Sequence, residues 1–110
     1  MTANIKDTAL SYFKTFSEKN IDGLREMFDD NVTLRDWDID KKGIESVLKA
    51  NLNIFQNVEN INVIPQNIIS ENNFVFAELT IVVNDEELKV VDLIEFNKKG
   101  KIISIKAFKG

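Results

Sequence analysis

Helix gives way to strand within residues 20–36, which read NIDGLREMFDDNVTLRD. Asn20 is a suitable helix N-cap, and apolar side chains at helical spacing predict a short helix over Ile21–Phe28. The residues at 29–31, Asp-Asp-Asn, favour turns, so the helix is predicted to end there. A short strand is predicted over Val32–Trp37, where successive side chains point to opposite faces. The rest of the pattern is arranged around this stretch.

Two further helices flank it. Before it, apolar residues at spacings of three and four predict a helix over Asn4–Glu18. After it, the loop Asp38–Lys42 leads to a third predicted helix over Gly43–Gln56. The apolar stripe of the first helix comprises Ile5, Ala9, Tyr12, Phe13 and Phe16, and that of the third comprises Ile44, Val47, Leu48, Asn51, Leu52 and Phe55.

The remainder of the chain has the pattern of a β-sheet. Strands are predicted over Ile61–Ile64, Asn67–Glu71, Phe74–Val83, Leu88–Phe96 and Lys101–Phe108, with turns at Asn72-Asn73, Asn84-Asp85 and Asn97–Gly100. Three helices followed by an antiparallel meander form an α+β pattern. With 110 residues and no linker or repeat, residues 1–110 are predicted to form one domain. A sheet that curls around the helices leaves a pocket between the layers, where chemistry is expected.

The composition excludes several kinds of function. There is no cysteine and no histidine, which removes disulfides, thiol chemistry, the serine–histidine–aspartate triad and the commonest metal ligand. With 14 basic and 18 acidic side chains the formal net charge is −4, so we expect no nucleic-acid partner, and we expect no metal and no cofactor. No apolar run approaches the roughly 20 residues that span a bilayer, and MTANIKDTAL lacks a signal-peptide pattern. We therefore expect no membrane partner and a cytoplasmic location.

Two aspartates interrupt apolar strand patterns. Alternation puts Asp36 on the face of Val32 and Leu34, and because burying an unpaired carboxylate is costly, such a group is partnered, neutralised or functional. The alternative is that Asp36 lies past the end of its strand, in solvent. Asp92 has apolar neighbours on both faces of its strand, so burial is expected to raise its pKa and favour the protonated form at neutral pH. The alternative there is a carboxylate at a strand edge, satisfied by a neighbouring donor.

Tyr12 is the only tyrosine, and it lies on the apolar stripe of the first helix. A buried phenol needs a hydrogen-bond partner, so Tyr12 is either a core aromatic with a satisfied hydroxyl or part of a site. Trp37 is a candidate for a pocket wall or for an interface. The residues predicted to form the apolar walls of a ligand pocket are Trp37, Phe74, Phe76, Val82, Ile105 and Phe108.

Together these pieces resemble a known family. The resemblance is carried by Ser11-Tyr12-Phe13, Asn20–Leu24, Met27–Asp36 and Gly43-Ile44, a run similar to that of the nuclear transport factor 2-like superfamily, which includes the SnoaL-like cyclases. It covers nearly the whole chain. The resemblance implies a cone-shaped α+β fold, in which a curved antiparallel sheet wraps around three N-terminal helices. It also implies a homodimer formed through the exposed face of the sheet.

Within the superfamily, the chain is most similar to bacterial ketosteroid isomerase. The site of that enzyme contains a tyrosine on the first helix, an aspartate ending the first strand and an aspartate in a late strand, which Tyr12, Asp36 and Asp92 match. The resemblance implies that Asp36 moves a proton next to a ketone, while Tyr12 and protonated Asp92 donate hydrogen bonds to the enolate oxygen of a hydrophobic β,γ-unsaturated ketone. Two positions depart from that enzyme: Trp37 replaces a proline, and Asn51 stands where a tyrosine is expected.

Two other functions are compatible with the same fold, because the superfamily hosts many functions. One is a non-catalytic domain that binds a small apolar molecule or forms dimers. The other is a SnoaL-like cyclase or dehydratase, which the lack of histidine disfavours because a histidine often assists the acid in that group. Convergence of the three polar side chains on one pocket would distinguish an enzyme from the non-catalytic domain.

Overall fold

Three helices cover one face of a six-stranded sheet in a computed structural model that describes residues 4–110. The first three residues of the N-terminal stretch considered above lie outside the described residues. The helices are α1 (Ile5–Ser17), α2 (Ile21–Met27) and α3 (Ile44–Asn57). The strands are β1 (Phe28–Arg35), β2 (Asp40–Lys42), β3 (Ile61–Glu71), β4 (Phe74–Val83), β5 (Glu86–Phe96) and β6 (Ile102–Lys109). The three predicted helices and the predicted β-meander are confirmed.

The strands follow the order β2-β1-β6-β5-β4-β3 in a curved sheet that does not close. All neighbouring strands are antiparallel except β1 and β6, which run parallel. The predicted antiparallel arrangement therefore holds for β3 to β6 and for β1 with β2, while the sheet as a whole is mixed. Although β6 comes last in the sequence, it lies inside the sheet. This position brings the end of β1 close to the middle of β5.

β1 starts earlier than its pattern predicts. The turn predicted at residues 29–31 is instead part of the strand, whose register with β6 shifts between Phe28 and Thr33. The Asp29 carboxylate accepts a hydrogen bond from the backbone N of Asn31 at 2.9 Å, so the turn-forming residues make a local irregularity within the strand. The predicted loop Asp38–Lys42 also contains a strand, β2, whose three residues are all exposed and carry no apolar alternation.

β3 is continuous where two strands are predicted. It passes through Pro65, and its register with β4 shifts between Pro65 and Asn67. β3 lies at an edge of the sheet, where a proline without an N–H donor is tolerated at a bulge. The only proline therefore shifts the register of β3 with β4, but the strand continues through it.

Helices α1 and α3, which carry Tyr12 and Asn51, are tied to their surroundings by polar contacts. The Ser17 hydroxyl donates to the carbonyl oxygen of Phe13 and accepts from the backbone N of Val63, both at 2.8 Å, which joins α1 to β3. The ammonium of Lys19, just after α1, donates to carbonyl oxygens at the end of α3. These acceptors are Phe55 at 3.0 Å, Val58 at 2.6 Å and Glu59 at 3.1 Å.

The hydrophobic core lies between the helices and the sheet. Its most deeply buried large side chains are Phe13, Leu24, Val32, Val47, Val75, Leu79, Ile94, Phe96 and Ile102. Within residues 4–110, no helix combines the length and the apolar character needed to cross a membrane.

Candidate active site

An apolar cavity of about 170 Å³ lies between α1, α3 and the sheet. Four polar side chains, those of Tyr12, Asp36, Asn51 and Asp92, line it among hydrophobic ones. The hydrophobic lining consists of Phe13, Phe16, Leu34, Trp37, Ile54, Ile61, Val63, Ile81, Val83, Leu88, Val90, Ile105 and Ala107. The three polar residues singled out in the sequence thus reach the same cavity, from α1, from the end of β1 and from β5.

Asp36 directly follows the last residue of β1. Its Oδ1 accepts hydrogen bonds from the backbone N of Asp38 at 2.7 Å and of Ile39 at 2.6 Å, and its own backbone N donates to the Ile39 carbonyl oxygen at 2.9 Å. One carboxylate oxygen therefore holds the turn between β1 and β2. The other, Oδ2, makes no hydrogen bond to residues 4–110 and remains available to the cavity. Asp36 thus lies past the end of its strand, as the interpretation of a loop residue predicted. It also lines the cavity, as the interpretation of a functional residue requires.

Asp92 is in the middle of β5 and is only 7% exposed. Its neighbours on the same face, Val90 and Ile94, are also buried. Burial raises the pKa of Asp92 to about 7, and the negative charge of Asp36 contributes to the rise. The expectation of a buried acid with a raised pKa is confirmed, and at neutral pH a substantial fraction of Asp92 is protonated and able to donate a hydrogen bond.

The two acids are brought together by the parallel pairing of β1 with β6. Arg35, the last residue of β1, pairs with Lys106 of β6, and the next β6 residue, Ala107, pairs with Asp92 of β5. Asp36 and Asp92 thus flank β6 on its two sides, two strand spacings or roughly 10 Å apart at the backbone. The small side chain of Ala107 leaves the space between them open to the cavity.

Tyr12 approaches this space from α1. Its ring packs against Phe13, Phe16 and Phe28, with centroid distances of 5.6, 6.0 and 6.1 Å. Its hydroxyl makes no hydrogen bond to any described residue, although the side chain is only 5% exposed. Burial, and after it the charge of Asp92, raises the pKa of Tyr12 above its ordinary value. The Tyr12 hydroxyl therefore stays protonated. It can donate a hydrogen bond to a ligand in the cavity, since it makes none to a described residue.

The predicted apolar walls are only partly those of the cavity. Trp37 and Ile105 line it, and Trp37 is also 44% exposed, at the rim. The other four, Phe74, Phe76, Val82 and Phe108, do not line it. The cavity-facing residues of β4 are Ile81 and Val83, and Ile105 and Ala107 face it from β6. The four therefore occupy the alternate positions of their strands, whose side chains point to the opposite face.

Asn51 is the cavity residue whose role the sequence pattern missed. It lies on the buried face of α3 with Val47, Leu48 and Phe55 and is 2% exposed. Its Nδ2 atom is buried without a hydrogen-bond partner among the described residues. The available signal was one polar residue on an otherwise apolar helical stripe. In residues 4–110, no group of three or more acidic side chains is arranged to hold a metal ion.

Comparison with known proteins identifies similar sequences and structures. The sequence model of the SnoaL-like domain matches residues 9–105. A proposed SnoaL-like polyketide cyclase from Shewanella denitrificans superimposes with a TM-score of 0.89 at 12% identity, covering 96% of this chain and 90% of that chain. An NTF2-like protein of unknown function from Cytophaga hutchinsonii gives 0.85 at 15% identity, covering 100% and 93%.

A steroid delta-isomerase from Pseudomonas aeruginosa superimposes with a TM-score of 0.76 at 18% identity, covering 100% of this chain and 82% of that chain. A search of curated proteins finds no match. At these identities the structural likeness establishes the fold, while the chemistry has to be argued from the cavity itself.

Proposed function

The chain belongs to the SnoaL-like domain family, and on that premise we propose that it is an isomerase that moves a proton next to a ketone. The observation that carries the proposal is the meeting of Tyr12, Asp36 and Asp92 in one apolar cavity. Proton abstraction next to a carbonyl needs one base and one group that stabilises the enolate oxygen. The cavity offers both without a histidine or a metal ion.

The proposed reaction starts at Asp36. Its free Oδ2 takes a proton from the carbon between the carbonyl and the double bond of a β,γ-unsaturated ketone, and the electron pair of that C–H bond forms a dienolate. Tyr12 and protonated Asp92 donate hydrogen bonds to the dienolate oxygen. Asp36 then returns its proton to the γ carbon, and the double bond moves into conjugation with the carbonyl. Atoms and electrons balance without a co-reactant.

The surroundings of the three groups suit these roles. Asp36 keeps one oxygen in hydrogen bonds to the backbone, which orients the other. Burial favours the neutral form of both Tyr12 and Asp92, which is the form that donates. Asp36 and Asp92 therefore lie in different environments. Such a difference is required if one carboxyl group acts as a base and the other as an acid at the same pH.

The cavity also limits the substrate. An engineered cavity of about 150 Å³ holds a benzene molecule, so the volume of about 170 Å³ fits one ring. A ligand with several fused rings would extend past the rim at Trp37, which is half exposed. We therefore propose a hydrophobic carbonyl ligand of which about one ring is enclosed.

The test uses 3-cyclohexenone and 5-androstene-3,17-dione, and records the absorbance of the conjugated enone. We expect turnover by the wild type and a loss of at least about 100-fold in Asp36→Asn, because an amide cannot take up the proton. The amide keeps an oxygen for the backbone N–H groups of Asp38 and Ile39, so thermal unfolding should be unchanged. Asp38→Asn, an exposed change in the same loop, is the matched control and should retain turnover. Equal rates in the wild type and Asp36→Asn would exclude Asp36 as the base.

A SnoaL-like cyclase is the second candidate, favoured by the structural likeness to the proposed polyketide cyclase. An aldol cyclisation begins with the same proton abstraction, so loss of activity in Asp36→Asn does not separate the two reactions. They differ in the second step, because the isomerase returns the proton to its substrate and the cyclase forms a carbon–carbon bond. If neither ketone is converted while phenol still binds through Tyr12 and Asp92, a related enzyme with another substrate is favoured. No binding of phenol favours a non-catalytic domain.

We also propose a homodimer formed through the uncovered face of the sheet. Four large apolar side chains there are exposed: Ile69 by 64%, Phe76 by 43%, Val91 by 42% and Phe108 by 57%. Ile69 pairs across the strands with Phe76, and Val91 with Phe108, so the four form one apolar area over β3 to β6. A second copy would remove this surface from water.

A further inference from the structure

Asn51 lines the cavity with an amide that is left partly unpaired by residues 4–110. Its side chain is 2% exposed, and its Nδ2 atom is buried without a hydrogen-bond partner among the described residues. The surrounding face of α3 is apolar. A buried polar group left unpaired destabilises the folded protein. A leucine of similar shape would avoid that penalty, so the amide has no structural role that these contacts reveal.

The cavity that Asn51 lines is the place where a ligand can supply the missing partner. A ligand that leaves a buried polar group unpaired binds more weakly than one that pairs it. The side of the ligand that faces Asn51 is therefore expected to carry a polar atom, in addition to the ketone that meets Tyr12 and Asp92.

The proposed reaction leaves no lone pair of the ketone oxygen for Asn51. A carbonyl oxygen has two lone pairs, and the proposed roles of Tyr12 and Asp92 use both. Asn51 comes from α3, whereas Tyr12 and Asp92 come from α1 and β5. An amide carries both a donor and an acceptor, so it fits a hydroxyl group or a second carbonyl equally well.

We infer that Asn51 is a specificity residue that hydrogen-bonds a second polar group on a ligand of about one ring. The inference rests on the proposed function, because it assigns the ketone to Tyr12 and Asp92. It narrows the substrate class from hydrophobic ketones in general to small ketones bearing a hydroxyl or a second carbonyl group. A ligand without that group leaves the Asn51 amide unpaired.

The test compares phenol with catechol, resorcinol and hydroquinone, with dissociation constants measured by calorimetry. Phenol imitates the enolate, and the three dihydroxybenzenes place the second hydroxyl at three different spacings. We expect at least one of them to bind the wild type about tenfold more tightly than phenol, which one hydrogen bond can supply. In Asn51→Leu this ratio should fall to about one. Asn53→Leu, at an exposed position on the same helix, should keep the wild-type ratio.

The thermal midpoint gives a second readout. Replacing an unpaired buried amide by leucine should raise Tm by a few degrees relative to the wild type. If Asn51→Leu instead lowers Tm, the amide is bonded within the folded protein and the inference is wrong. The inference is equally wrong if no dihydroxybenzene is preferred over phenol, or if the preference survives in Asn51→Leu.

These outcomes are separate from those that test the isomerase. The phenol series measures binding alone, so a lost preference in Asn51→Leu supports the specificity role whatever the turnover of the two ketones. If turnover depends on Asp36 but Asn51→Leu keeps the preference for a dihydroxybenzene over phenol, the proposed reaction stands and only this inference is wrong.

Discussion

The charge of Asp92 links the stability of the protein to pH. The pKa of this carboxyl group is 3.8 for the unperturbed side chain and about 7 when it is buried in the folded protein. Between these values the folded protein holds one proton more than the unfolded chain. The free energy of unfolding therefore falls as the pH rises from about 4 to about 7, by up to about 4 kcal/mol from this group.

Asp92→Asn should remove this dependence, because an amide does not titrate. We expect urea unfolding at a series of pH values to show a smaller decline between pH 4 and 7 for Asp92→Asn than for the wild type. Asp85→Asn, an acid-to-amide change in the exposed turn before β5, should retain the decline. A decline of the same size in Asp92→Asn and the wild type would mean that Asp92 ionises as readily in the folded protein as in the unfolded chain.

The same variants test the donor role. The wild-type kcat/KM should fall as the pH rises through about 7, because ionised Asp92 no longer donates. Asp92→Asn should lose this fall and keep more activity than Asp92→Ala, since an amide still donates a hydrogen bond. Equal loss of activity in Asp92→Asn and Asp92→Ala would contradict the donor role.

The sequence identifies a site residue best where a polar side chain interrupts a clear pattern. Tyr12, Asp36 and Asp92 stand out for this reason, and all three reach the cavity. Asn51 also interrupts a stripe, but a sequence does not reveal whether a buried amide has a partner. The apolar walls were harder to predict because large apolar side chains also occupy the outer face of β4, next to Glu78 and Thr80.

At the scale of the elements, Lys19 holds two helices in place. It adopts a left-handed backbone conformation with φ of 57°, which favours glycine, and its ammonium binds three carbonyl oxygens at the end of α3. A cation at a helix C-terminus also interacts favourably with the helix dipole. Because α1 carries Tyr12 and α3 carries Asn51, this contact helps fix the two sides of the cavity.

Lys19→Ala should lower the free energy of unfolding by about 1–3 kcal/mol in urea titrations, because the carbonyl oxygens lose their charged donor. Lys19→Gly removes the same donor but relieves the left-handed backbone, so its loss should be smaller. Lys14→Ala, on the exposed surface of α1, is the control and should change little. A larger loss in Lys19→Gly than in Lys19→Ala would show that the backbone conformation is not strained.

Element boundaries are predictable where periodicity is strong and weaker where tertiary pairing decides. The helices and the strands β4 to β6 follow from their patterns. β2 has only three exposed residues and exists because β1 offers it an edge, so no local signal marks it. The early start of β1 and the continuity of β3 through Pro65 likewise depend on a neighbouring strand, which accepts an irregular register.

For the whole molecule, the proposed dimer depends on the uncovered face of the sheet. We expect a dimer by light scattering after gel filtration, and a monomer when Phe76→Glu and Phe108→Glu are combined, because charges in the apolar area resist burial. Leu10→Glu changes a side chain that is 43% exposed on α1, away from this face, and should leave the dimer intact. A wild type that stays monomeric, or a double variant that stays dimeric, would contradict the proposal.

The interior place of β6 has a consequence for how the protein is made. During synthesis α1 to β5 are made before β6. Until β6 is added, β1 and β5 lack the strand that lies between them and pairs with both. Two exposed strand edges are then open to the wrong partners, and the proton-transfer apparatus cannot assemble. A chain truncated before residue 102 should therefore bind holding chaperones, whereas the chain that includes β6 should not.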